Sequence, residues 1–120
     1  MSRKFAHIDT LSEILDSQDV DKVLEYLTED CLFTAGNSES IQGKEHIKST
    51  LNSFFDSVKS TRHHLSDIFE SDNSLVHRGD VTYTRLDNTQ LTVPFCDVFK
   101  IRDNKIAEYT IYIDWSELFN

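Results

Sequence analysis

Asp97 stands in the middle of "VPFCDVFKI", Val93 to Ile101, a stretch of β-branched and aromatic residues that predicts a strand. Alternation puts Asp97 on the same side as Val93, Phe95, Phe99 and Ile101, the apolar side. A carboxyl there must be neutralised, paired or hydrogen-bonded. Held protonated beside a ligand oxygen, it would donate a hydrogen bond. An ion pair with Arg85 or His64 is the structural alternative. Arg85 and Asp87 stand two apart in "TRLD", so both can face one cavity and fix a water or a ligand oxygen. Their structural alternative is an ion pair at the rim of a turn. Asp114 follows Tyr112 at the same spacing in "IYID". His63 and His64 are neighbours on a predicted strand, so they point to opposite faces and one of them titrates inside.

Other chemistries find little support. Adjacent histidines chelate poorly, and the remaining ligand types are scattered, so no metal is expected. Three glycines form no phosphate-binding loop, and no serine sits in a nucleophile elbow. No cofactor is expected. The two cysteines, Cys31 and Cys96, are far apart and are expected as buried thiols.

The elements that must position these groups fall into two halves. Ile8, Leu11, Ile14 and Leu15 predict a first helix. Val20, Val23, Leu24 and Leu27 predict a second, with Asp19 as its N-cap. "CLFTAGN" predicts a short strand. Ile47, Leu51, Phe54, Phe55 and Val58 form the stripe of a third helix, about Lys44 to Val58. From "RHHLSDIFES" onward the period changes to two, and strands follow, separated by "LDNTQ" and "RDNK" turns. Helices first and a meander after predict an α+β domain, with a pocket between helices and sheet. In the last strand Tyr109, Ile111 and Ile113 oppose Glu108, Thr110, Tyr112 and Asp114. Either side has apolar character, so period alone leaves the inward side open; if the protein is a dimeric interaction protein, the first three are expected to form its exposed interface.

Composition bounds the class. The chain has 120 residues and 38% hydrophobic content, which suits one folded domain. A net charge of −9 argues against a nucleic-acid partner. No apolar run reaches membrane-spanning length, so no membrane partner is expected and a cytoplasmic location is.

"LDSQDVDKVLEYLTEDCLF", "IQGKEHIKSTLNSFF" and "LTVPFCDVFKIRDNKIAEYTIYID" together resemble the SnoaL-like, polyketide-cyclase-like branch of the nuclear-transport-factor-2-like superfamily, over about Thr10 to Leu118. The resemblance implies one domain over 1–120, built as a cone. About three N-terminal helices would pack on a strongly curved mixed sheet enclosing a pocket, often in a homodimer. It implies an apolar small-molecule partner and acid–base chemistry of cyclase, isomerase or epoxide-hydrolase type on a carbonyl or epoxide compound. The alternative is a non-catalytic binding module or dimeric interaction protein of the same fold. Asp97 matches the buried acid of the ketosteroid isomerases, whose tyrosine and base positions fall at Leu11 and Thr34. Arg85 and Asp87 match part of the Asp-Arg-Asp set of limonene-epoxide-hydrolase-like enzymes. Asp114 is nearest to the other aspartate, and Phe33 falls near their tyrosine. The implied site is therefore Asp97, Asp114, Arg85 and Asp87, in a pocket lined by Tyr83, His64, Phe33, Phe95 and Tyr112.

Overall fold

A computed structural model describes residues 3–119. A 3-10 turn, Ala6–Ile8, leads into two short helices, α1 (Leu11–Asp16) and α2 (Val20–Leu24). Helices this short are marginal alone and are held by packing. Leu11, Leu15, Val20 and Val23 are all buried. Asp19 caps α2 as its sequence position predicts, accepting from Lys22 N at 3.2 Å. Leu27 falls outside the second helix and opens strand β1 (Leu27–Ala35), which a two-residue β2 (Ile41–Gln42) follows. The third helix, α3 (Lys44–Asp56), buries Ile47, Leu51 and Phe55 at fourfold spacing. It stops two residues before Val58, which begins β3.

The second half is the predicted meander: β3 (Val58–Ser71), β4 (Ser74–Arg85), β5 (Gln90–Arg102) and β6 (Lys105–Ile113). Asp103 and Asn104 both take positive φ in the two-residue turn between β5 and β6, the left-handed geometry that Asp and Asn tolerate. The strand order is β2-β1-β6-β5-β4-β3, and β1 runs parallel to β6, so the sheet is mixed.

The cone expected from the resemblance does not form. The six strands make an open array with β2 and β3 as its edges, neither strongly curved nor closed on itself. Beyond β1 only the two residues of β2 pair, so nothing carries the sheet round to β3. The helices cover one face instead.

The inward face of β4 and β5 is the odd-numbered one. Leu75, His77, Val81, Tyr83, Phe95, Asp97, Phe99 and Ile101 are all buried. In β6, Tyr109 is buried and Ile111 and Ile113 are half-buried on the same side. This overturns the expected exposed interface through those three residues, because they face the helices. Tyr112 faces out instead, 60% exposed. Both cysteines are free: Cys31 is buried and Cys96 half-buried. No helix among the described residues is long and apolar enough to cross a membrane.

Candidate active-site cavity

Between α3, the end of α1 and the inward sheet face lies a cavity of about 250 Å³. Its walls are mainly apolar: Leu15, Phe33, Leu51, Phe54, Phe95, Ile111 and Trp115 all contribute. Trp115 stacks on Phe54 with ring centroids 5.1 Å apart, closing one end. Ser38, Glu39 and Thr50 are exposed and mark the mouth.

Asp97 opens into this space. It is 6% exposed, and its Oδ1 has no hydrogen-bond partner among the described residues. Burial alone pushes its carboxyl well above the ordinary range, because it disfavours the charged form. No cationic side chain offsets this. The expected partners, Arg85 and His64, are elsewhere.

Two phenols share the cavity. Tyr109 packs edge-on against Phe33 and Phe99, with centroids 5.1 and 4.8 Å away. Tyr83 Oη accepts from Trp115 Nε1 at 2.8 Å, so its own proton remains available for donation. Burial pushes both hydroxyls up, first among several causes.

On the far side of Phe95 stands His63. Its ring meets Phe95 edge-on at 5.3 Å, and its Nδ1 lies 2.6 Å from Asp16 Oδ1. The same carboxylate accepts from His63 N at 2.8 Å and from Thr61 Oγ1 at 3.0 Å. Burial pushes Asp16 up, but the hydrogen bonds from His63 and Thr61 outweigh it, and the net shift is downward. An ionised Asp16 only accepts, so His63 Nδ1 carries the proton and Nε2 is the basic nitrogen. The register sets the spacing of the polar groups. His63 lies opposite Val81 and Val81 opposite Val93, four residues along β5 from Asp97. The histidine and the carboxyl thus occupy different ends of one cavity.

Of the site residues expected from the sequence and the resemblance, Asp97, Tyr83, Phe33 and Phe95 line the cavity, and so does His63 of the adjacent histidine pair. The others are not brought to it. Arg85 is a clamp: it donates to the carbonyls of Leu118, Glu117 and Gln90 and to Thr89 Oγ1. Asp87 is exposed and accepts from Thr89 N and Oγ1 within its turn, which holds it below the usual carboxylate range. Asp114 is exposed and accepts from Ser116 N at 2.9 Å, which lowers it likewise. Tyr112 and His64 lie on the outer face. The inward histidine is His63, and a signal for it exists. His63 shares parity with Leu65, whereas His64 shares it with Arg62 and Ser66. No comparable signal marks Asp16, because its partner is 47 residues away. Among the described residues, no group of three or more His, Cys, Asp or Glu side chains is placed to hold a metal ion.

A mixed sheet covered on one face by three helices, with a largely apolar cavity between them, defines an α+β pocket protein of the NTF2-like type. The SnoaL-like domain model matches residues 8–109, and the chain belongs to that family. No curated protein matches it. Solved structures share the fold across most of their length. An NTF2-like protein of unknown function from Burkholderia pseudomallei K96243 superposes with a TM-score of 0.88 at 17% identity, over 98% of this chain and 95% of that one. TerC, co-crystallized with polyporic acid, gives 0.82 at 19% identity, over 92% and 91%. An LEH-like epoxide hydrolase of M. tuberculosis gives 0.80 at 16% identity, over 96% and 85%.

Proposed function

We propose that the protein is a small acid–base enzyme acting on an apolar, conjugated carbonyl compound held in the cavity. His63, oriented by Asp16, is the general base. Asp97, protonated, donates a hydrogen bond to the oxygen on which charge develops, and Tyr109 or Tyr83 assists. Conjugation suits the separation of the two ends: charge released where a proton leaves is delocalised through the ring to the distant oxygen. The observation that carries this reading is the unpartnered Asp97 carboxyl in an apolar cavity that also holds a carboxylate-oriented histidine. Asp97 is buried with no partner and His63 is held by a carboxylate, so one is placed to donate a proton and the other to accept one.

Proton abstraction is testable before any product is known. Cyclic ketones and enones incubated in D2O with the protein should exchange hydrogens at activated carbons. His63→Gln should slow exchange by about a hundredfold or more, as for a lost general base. Equal exchange with parent and variant would reject the assignment.

A second reading, a binding module without catalysis, is favoured by Leu11 and Thr34, which stand where the isomerases resembled by this chain have their tyrosine and base. It predicts tight ketone binding with no exchange. An epoxide substrate would fit the same cavity, with Asp97 donating to the ring oxygen, and diol formation would reveal it. We further infer a homodimer through the outer sheet face, on which Thr82, Thr92, Val98, Thr110 and Tyr112 lie. A sedimenting mass of one chain at micromolar concentration would reject it. A cytoplasmic location is in keeping with two free thiols.

A further inference from the structure

The charge of the ligand can be inferred from what surrounds the cavity. Among the described residues no lysine or arginine lines it, and the charged side chain at its mouth is Glu39. The part of α3 that faces it is Thr50, Leu51, Phe54 and Phe55, the C-terminal half, where the helix dipole is negative. Asp16 adds a carboxylate behind His63. An anion entering would lose its hydration with no lysine, arginine or helix N-terminus to replace it. A neutral molecule with an acceptor oxygen loses little and gains a partner for Asp97, whose Oδ1 is otherwise unsatisfied. Size follows from volume. An apolar cavity of roughly 150 Å³ takes a benzene ring, so about 250 Å³ takes one or two fused rings. The aromatic walls select a flat shape.

We infer that the cavity takes an uncharged, flat, one- or two-ring compound bearing a carbonyl-type oxygen, and that Glu39 at its mouth selects against carboxylates and phosphates. The inference rests on the ligand-cavity reading above and adds the charge and size of the substrate class.

The matched probes are 1-tetralone, neutral and bicyclic, and 1-naphthoate, which carries a carboxylate on two rings. Both are titrated calorimetrically at low ionic strength, where the field of an exposed charge is least screened. Trp115, the only tryptophan, lines the wall, and a change in its emission reports occupancy of the cavity itself. Tetralone should bind at least tenfold more tightly than naphthoate. Glu39→Lys should raise naphthoate affinity at least threefold and change tetralone affinity by less than that. Naphthoate binding as tightly as tetralone would overturn the inference while the cavity reading stands. Unchanged naphthoate affinity in Glu39→Lys would remove Glu39 from it. Failure of both probes to bind a folded protein would sink the cavity reading and this inference together.

Discussion

Asp16, the last residue of α1, takes three hydrogen bonds from one short stretch of β3: from the His63 ring at 2.6 Å, the His63 amide at 2.8 Å and Thr61 Oγ1 at 3.0 Å. The carboxylate therefore fixes both the backbone and the ring of the histidine. It does so across 47 residues of sequence.

Asp16→Asn separates these roles. The amide can still meet the β3 backbone, but it can donate to Nδ1, which moves the ring proton to Nε2 and removes the base. Hydrogen exchange on a cyclic ketone should fall by about a hundredfold or more. Stability should fall by only about 1–2 kcal/mol, the cost of weakened hydrogen bonds. Nitrogen chemical shifts of His63 check the tautomer. A variant that keeps its proton on Nδ1 and its exchange rate would show that Asp16 does not orient the ring. In the parent, the folded pKa of Asp16 is lowered. Its contribution to stability is present above the unfolded value near 3.8 and is lost as pH falls through the folded one.

Asp97 works in the opposite direction. Its folded pKa is raised, so the stability it contributes is complete below the unfolded value near 3.8 and is lost as pH rises through the folded one. Asp97→Asn has no such proton to lose. Urea midpoints of parent and variant should lie close together near pH 4 and separate at alkaline pH, where the parent weakens. A gap independent of pH would mean that Asp97 is not buried in its neutral form.

His77 supplies a third titration, away from the cavity lining. It is 1% exposed, directly across β4–β5 from Asp97, with Nε2 3.4 Å from Asp9 Oδ1 but no hydrogen bond. Burial is the largest influence on its pKa and lowers it; Asp9 raises it, Arg3 lowers it, and the net shift is downward. Its contribution to stability is therefore present above the unfolded value near 6.5 and is lost as pH falls through the folded one. The His77 C2–H resonance should titrate with a midpoint below 6.5. A midpoint above it would give the Asp9 charge the larger effect.

The parts of this protein legible in its sequence are those set by local period. Alternation placed Asp97 on the buried face, and the helical stripe of α3 and the Asp19 cap were readable for the same reason. Leu27 misled because β1 begins where the spacing of α2 still continues. Arg85 has the parity of Tyr83 and Val81, so alternation points it inward. Its destination depends on the C-terminal segment, which folds back under it. Asp114 matched a carboxylate position in related chains, but it lies beyond the end of β6, where parity no longer decides orientation. The openness of the sheet depends on what β2 pairs with, and no local pattern states that.

The Arg85 clamp can be tested apart from the chemistry. Its guanidinium holds Glu117 O and Leu118 O at 3.0 and 2.9 Å, and Leu118 is fully buried against Val58, Val81, Tyr83 and Phe95. Arg85→Ala should destabilise the chain by about 1.5–3 kcal/mol, the range for hydrogen bonds involving a charged group. Arg85→Lys should recover only part, because an ammonium lacks the planar fork that spans two carbonyls. Hydrogen exchange by the folded fraction should be nearly unchanged. A large loss of exchange at undiminished stability would return Arg85 to the active groups.

Gly79 tests how rigidly β3 presents His63. It pairs with Leu65 on β3 and Phe95 on β5, beside the irregularity between Leu65 and Asp67. A Cβ at this position would lie 1.9 Å from the carbonyl oxygen of His64 and 2.9 Å from its carbonyl carbon. Both are backbone atoms, so no side-chain rotation relieves the overlap. Gly79→Ala must push β3 away from β4, at the residue next to His63. The expected loss is about 3 kcal/mol or more, at the upper end of single substitutions. The displacement should also lengthen the contact between His63 and Asp16, so ketone exchange should fall even in the folded fraction. Urea unfolding and the His63 nitrogen shifts measure the two effects separately. A loss below about 1 kcal/mol, the range of ordinary substitutions, with unchanged His63 shifts, would show that β3 has slack at this point and that its close approach to Gly79 does not set the position of the histidine.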